Sequence, residues 1–216
     1  MRVFLIHGMG RSRASMLVLS SRLKRAGHQP SSFGYFVSRD PVPRIVEGFT
    51  AHVAAVVEED GRRGHEEPYA IIGHSLGNLL TRLASARLPA GFSRFVMLAP
   101  PNRSPVLART LQRNPLFRAL TGDAGQRLAD PAFYAALPVP EVPTLIFAGD
   151  KGPRAKWLPF EGAASDGVVG VEETRLDGVP HVVVPAIHTF IMNHREVTRA
   201  ILDFLQAPGQ AEPGQK

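Results

Sequence analysis

Residues Tyr69 to Ala86 read YAIIGHSLGNLLTRLASA, and this stretch decides the fold. Tyr69, Ala70, Ile71 and Ile72 form a short apolar run with two β-branched residues, as a buried strand requires. Gly73-His74-Ser75-Leu76-Gly77 follows at once. Leu79, Leu80, Leu83 and Ala84 then recur at helical spacing. Strand, G-x-S-x-G turn and helix succeed one another as a serine set on a sharp turn demands. Glycines two residues to either side leave room for strand and helix to approach, and the helix N-terminus is aimed at the serine oxygen. The plainer alternative is a glycine-flanked helix start with Ser75 as an ordinary cap.

Working outward, the chain of 216 residues is long enough for one domain with a sizeable core. Apolar residues make up 44% of it and charged ones 20%, as in an ordinary globular protein. No run of about 18 apolar residues exists, so no transmembrane helix is expected. MRVFLIHGMG at the start carries too short an apolar run for a signal peptide and reads as a strand, which makes a cytoplasmic location the expectation. Zero cysteines exclude thiol catalysis, disulfides and thiolate metal sites. The net charge of +6 raises the question of nucleic acid. The arginines are scattered, however, and no basic run interleaves with aromatics, so no nucleic-acid partner is expected.

Val3 to Ile6 is a first strand, ending in His7-Gly8-Met9-Gly10, and Met16 to Ala26 follow at helical spacing with Gly27 as the stop. Ser32 to Val37 reads as a second strand and Pro43 to Glu59 as a helix with Ile45, Val46, Phe49, Val53 and Val56 on one face. The third strand precedes Ser75, Phe95 to Leu98 is a fourth, Thr144 to Ala148 a fifth and Val182 to Val184 a sixth. A helix from Asn193 to Leu205 closes a single domain, residues 1–206. Residues 207–216, rich in Pro, Gly and Gln, read as a disordered tail. Residues 102–140 break the alternation with helix-like pieces punctuated by Pro105, Pro115, Gly122, Gly125 and Pro131. Alternating strands and helices predict an α/β fold, with about six mainly parallel strands and helices on both faces. Ligands of such sheets sit at the carboxyl ends of the strands, where Ser75 lies.

A serine hydroxyl is a weak nucleophile; it needs a base, and the base needs an orienting acid. Among downstream histidines, His181 begins the sixth strand at the wrong edge of the sheet. His194 falls in the last helix and reads as a solvated surface residue. His188 follows the sixth strand on the correct edge and is the candidate base. Asp150 and Asp166 both lie between serine and histidine in the chain, and spacing does not choose between them. Leu76, just after the serine, supplies one backbone N–H for an oxyanion. Met9, in a glycine-rich loop that allows close backbone approach, supplies the other. His7 reads as structural.

HGMG near the start, GHSLG, SDGVV and HTF together resemble the bacterial lipase and esterase branch of the α/β-hydrolase superfamily, from about Val3 to Leu205. The resemblance implies a minimal α/β-hydrolase fold in which residues 102–140 form a small helical cap. It also implies Met9 as oxyanion donor, Asp166 rather than Asp150 as the acid, and His188, which precedes Thr189, as the base. Asn78 departs from the pattern, standing where many relatives carry a glycine. The implied activity is a serine hydrolase cleaving carboxylic esters through an acyl-enzyme, with Ser75, His188 and Asp166 as triad. No metal or organic cofactor is implied, and the partner is a small-molecule ester with an acyl chain. Trp157, Leu158 and Phe160 are expected to add apolar wall. Acyl transfer to another acceptor uses the same residues, and a binding protein that kept the fold without turnover is the reading from another class.

Overall fold

Continuous apolar runs need cover on both faces, which a sheet between two helical layers provides. The computed structural model describes residues 1–65, 67–156 and 159–207 and has that arrangement. Among these residues β1 (Arg2–Ile6), β2 (Gln29–Phe33), β3 (Tyr69–His74), β4 (Phe92–Leu98), β5 (Thr144–Gly149) and β6 (His181–Val184) form one sheet. Its order is β2-β1-β3-β4-β5-β6 and every neighbouring pair is parallel. The order reverses between β1 and β3, and at such a switch point the carboxyl ends open a crevice for ligands.

The helices in chain order are α1 (Leu17–Arg25), α2 (Val42–Arg62), α3 (Leu76–Ala84), α4 (Val106–Leu111), α5 (Pro115–Ala129), α6 (Pro131–Ala135) and α7 (Arg195–Gln206). Alternation along the strands divides the core in two. Phe4, Ile6, Ile71, Phe95 and Met97 pack with Ile45, Phe49, Leu79 and Leu80 of α2 and α3. Val3, Leu5, Ile72, Val96 and Leu98 pack with Leu19 and Leu23 of α1 and with Val197, Ile201 and Leu205 of α7. Among the described residues no helix is long and apolar enough to cross a membrane.

The second strand lies earlier than expected, at Gln29–Phe33 instead of Ser32 to Val37, paired from Arg2 with Gln29 to Ile6 with Phe33. Register with β1 outweighs its weak apolar pattern, and an edge position tolerates Pro30. Of the residues expected to finish that strand, Tyr35 and Val37 turn inward while Phe36 stays exposed, and Tyr35 is buried against His7. His194 precedes α7 rather than lying within it, half-buried, with its carbonyl accepting the Thr198 N–H at 3.0 Å.

Between 102 and 140 the chain folds as α4, α5 and α6. Ala108, Ala124, Leu128, Ala129 and Leu137 join the core beside α2 and α3. α5 is broken at Gly122 (φ 53°), which approaches the Val37 carbonyl so closely that a methyl group there would lie 2.7 Å from its oxygen. The first half of α5 stands out from the body, leaving Leu116 66% and Leu120 62% exposed. Phe160 is half-buried, while Trp157, Leu158 and residues 208–216 lie outside the described residues.

Candidate active site

β3 runs straight into α3, so one residue must reverse the chain, and that residue is Ser75 at φ 51° and ψ −121°. A side chain in this left-handed region costs about 1–3 kcal/mol and persists only where its surroundings enforce it. Ser75 N–H donates to the Leu98 carbonyl at 2.9 Å, and Asn78 donates from Nδ2 to the carbonyls of Ser75 (3.0 Å) and Leu98 (3.1 Å). Asn78, the departure from the glycine pattern, is thus a buried brace that ties the turn to β4. The Ser75 side chain makes no capping bond to α3, which removes the ordinary-cap alternative and leaves its hydroxyl uncommitted to the helix.

The neighbouring glycines are sterically required. A methyl group on Gly77 would lie 2.5 Å from the Ile6 carbonyl oxygen and 2.8 Å from that of His7. One on Gly8 would lie 2.9 Å from both Ser75 Cβ and His74 Nδ1, which puts the loop after β1 directly against Ser75. Because the obstacles at Gly77 are backbone, Gly77→Ala is expected to destabilise the protein by about 2 kcal/mol. Urea unfolding of the two proteins measures the difference.

His188 follows β6, and its Nδ1 stands 2.6 Å from Asp166 Oδ2. Asp166 is only 2% exposed; its other oxygen, Oδ1, accepts the N–H groups of Val168 (2.9 Å) and Val169 (2.8 Å). A carboxylate oxygen accepting at 2.6 Å makes Nδ1 the protonated nitrogen of a neutral His188. Nε2 is then left with its lone pair. The His188 N–H also donates to the Asp166 carbonyl at 3.0 Å, so backbone and side chain are both registered to the acid loop. Asp150, the competing acid, instead faces Arg154 at 3.5 Å. Its strand neighbour Gly149 leaves no room for a Cβ, which would meet Asp166 Cβ at 2.9 Å.

Three further residues hold this assembly and were not singled out by their spacing. His74, beside Ser75, donates from Nε2 to the His188 carbonyl at 3.0 Å, with the rings 4.8 Å apart. Tyr35 stacks on His7 at 4.3 Å; its N–H reaches His7 Nε2 at 3.3 Å and its hydroxyl donates to the His7 carbonyl at 2.7 Å. His7 in turn donates from Nδ1 to the Gly8 carbonyl at 2.9 Å. The carbonyls of His7 and Gly8 are thereby occupied. Among the described residues the N–H groups of Met9 and Leu76 have no acceptor. Arg11 spans from this loop to Thr189, next to the base, with Nη2 donating to Oγ1 at 2.5 Å. Adjacency to Ser75 marks His74 in the sequence; nothing in the sequence marks Tyr35.

Burial holds His74 well below its ordinary pKa, reinforced by His188, and burial also lowers His7 against the bond to Gly8. As pH falls through about 6.5 the unfolded chain gains protons at both residues while the folded protein does not, so stability is lost toward acid. Each histidine contributes at most about 1.4 kcal/mol per pH unit. His74→Gln is expected to lose less stability between pH 7.5 and 5.5 than the parent. Parallel urea unfolding at the two pH values checks it, and equal losses would contradict it.

Beside the Gly8 loop lies a cavity of about 550 Å³ lined by Gly8, Gly10, Arg11, Tyr35, Phe36 and, from α5, Leu120 among others. Another, of about 340 Å³, opens around Arg82 and Phe92, at the amino end of β4 and away from Ser75.

Residues 3–213 match the alpha/beta hydrolase family. No curated protein matches the chain in sequence. Solved structures resemble it in fold. The mature lipase BlEst2 of Bacillus licheniformis has a TM-score of 0.73 at 15% identity, over 94% of this chain and 91% of that one. Phospholipase PlaB of Legionella pneumophila, solved in complex with thio-NAD, has a TM-score of 0.72 at 17% identity, over 97% of this chain. This chain spans only 59% of the length of PlaB. The pyrethroid hydrolase PytH has a TM-score of 0.61 at 16% identity, over 96% of this chain and 98% of that one.

Proposed function

Because the chain belongs to the alpha/beta hydrolase family, we propose that it is a serine hydrolase that cleaves carboxylic esters of small molecules. The observation that carries this reading is the 2.6 Å contact of a buried Asp166 with His188 at the same sheet edge as the strained Ser75. Ser75 Oγ attacks the ester carbonyl while His188 Nε2 takes its proton, and Asp166 stabilises the imidazolium that forms. The N–H groups of Met9 and Leu76 receive the oxyanion, prearranged and free of other acceptors. Collapse of the tetrahedral intermediate expels the alcohol, protonated by His188, and leaves an acyl-enzyme. Water, deprotonated by His188, attacks the acyl carbon, and the acid leaves as Ser75 regains its proton.

Residues 102–140 act in this reading as a cap, with Leu120 of α5 reaching the cavity beside the Gly8 loop. The apolar part of the ester lies there, against Phe36 and Leu120. The test is hydrolysis of 4-nitrophenyl esters of rising acyl length by the purified protein. Saturable turnover above the buffer rate is expected. Its absence across the series, with folding verified by circular dichroism, would remove the reading.

A further inference from the structure

The cavity beside the Gly8 loop carries a charge that ester hydrolysis does not use. Arg11 lines it half-buried, and its recorded partner is a neutral hydroxyl, Thr189 Oγ1. A guanidinium has five N–H donors, so most of this one's are left for a ligand. No carboxylate is among the lining residues, whereas Ser12 and Ser38 add hydroxyls; that of Ser15 donates to the Ser12 carbonyl at 2.8 Å. The acidic groups of the adjoining segments are turned to other partners: Asp40 stands 3.8 Å from Arg44, and Asp123 binds Arg127 and the Val42 N–H at 2.8 and 3.0 Å. An adjacent cavity of about 820 Å³ shares Ser12, Tyr35 and Phe36 and adds Arg13, for which no ion pair is recorded among the described residues.

A positive wall with hydroxyls, in a cavity whose Gly8 packs against Ser75, selects for negative charge on whatever is bound. We propose that the ester taken by this site carries an anionic group, a carboxylate or a phosphate, held by Arg11 in the cavity beside the Gly8 loop. The proposal rests on the serine-hydrolase reading for the reaction and adds the chemical class of its substrate. The apolar part of such an ester faces Phe36 and Leu120, and its anion faces Arg11 and the hydroxyls of Ser12 and Ser38.

The test uses two matched pairs, monoethyl glutarate against ethyl pentanoate, and 1-butyrylglycerol 3-phosphate against 1-butyrylglycerol. Hydrolysis is followed by pH-stat. In at least one pair the anionic member is expected to have kcat/KM about tenfold higher, as a charge-assisted hydrogen bond provides, with the advantage shrinking as salt is added. The preferred pair tells carboxylate from phosphate. Arg11→Gln should bring the ratio near one, and Arg11→Lys should restore part of it. Preference for the neutral member in both pairs would overturn the proposal. So would Arg11→Gln lowering both members of a pair alike, since Arg11 would then only tie the loop to Thr189. Calorimetry of glutarate and glycerol 3-phosphate with Ser75→Ala, alone and combined with Arg11→Gln, reads the same site without turnover. Binding of either anion that Arg11→Gln abolishes is expected, and no binding of either overturns the proposal. Failure of the hydrolase reading looks different: no ester is cleaved, yet the anion still binds.

Discussion

Ser75→Ala is expected to lower kcat on 4-nitrophenyl butyrate by roughly 10⁶-fold, the scale seen when a triad nucleophile is removed. The loss is confined to chemistry, because the Ser75 hydroxyl makes no bond that the turn depends on. The turn is held by backbone and by Asn78. Ser75→Gly should be equally inactive yet more stable than the parent by about 1 kcal/mol, since glycine relieves a φ of 51°. Turnover within tenfold of the parent in either variant would remove Ser75 from the mechanism.

Asp166→Asn should lower kcat by about 10⁴ with the fold retained, because an amide at this place no longer favours the Nδ1–H tautomer or the imidazolium. Asp166 Oδ1 also closes its own loop onto Val168 and Val169, and an asparagine can keep those acceptors while losing the charge beside His188. Asp150→Asn should change kcat less than threefold, because its carboxylate faces Arg154 at 3.5 Å at a partly exposed position. Comparing kcat of the two variants separates the acids. A larger loss from Asp150→Asn would reverse their roles.

The sheet could be read from the chain because β1, β3, β4 and β5 are continuous apolar runs, and burial on both faces allows little else. The edge strand was misplaced for the complementary reason. Half-exposed Gln29–Phe33 has no periodic signal, and its position follows from pairing with β1. Local spacing likewise placed Ser75 at a strand end and His188 just beyond another. The acid stayed open at that level, because Asp166 reaches His188 through a long loop after β5 whose path has no period. Only the likeness of SDGVV to a family pattern favoured it. Tyr35 and Arg11 were out of reach for the same reason: their roles depend on loops meeting across β1, β2 and β6. Asn78 departs from the glycine pattern and acts as a brace, its amide donating to the carbonyls of Ser75 and Leu98.

The central claim is that Ser75 is a nucleophile activated by the His188–Asp166 pair. The most direct measurement of it is the intact mass of the protein after incubation with a fluorophosphonate, followed by peptide mapping. A single adduct per chain is predicted, on the peptide that contains Ser75, absent from Ser75→Ala and formed far more slowly in His188→Ala. A folded parent protein that takes up no adduct, or carries it on another residue, would contradict the account.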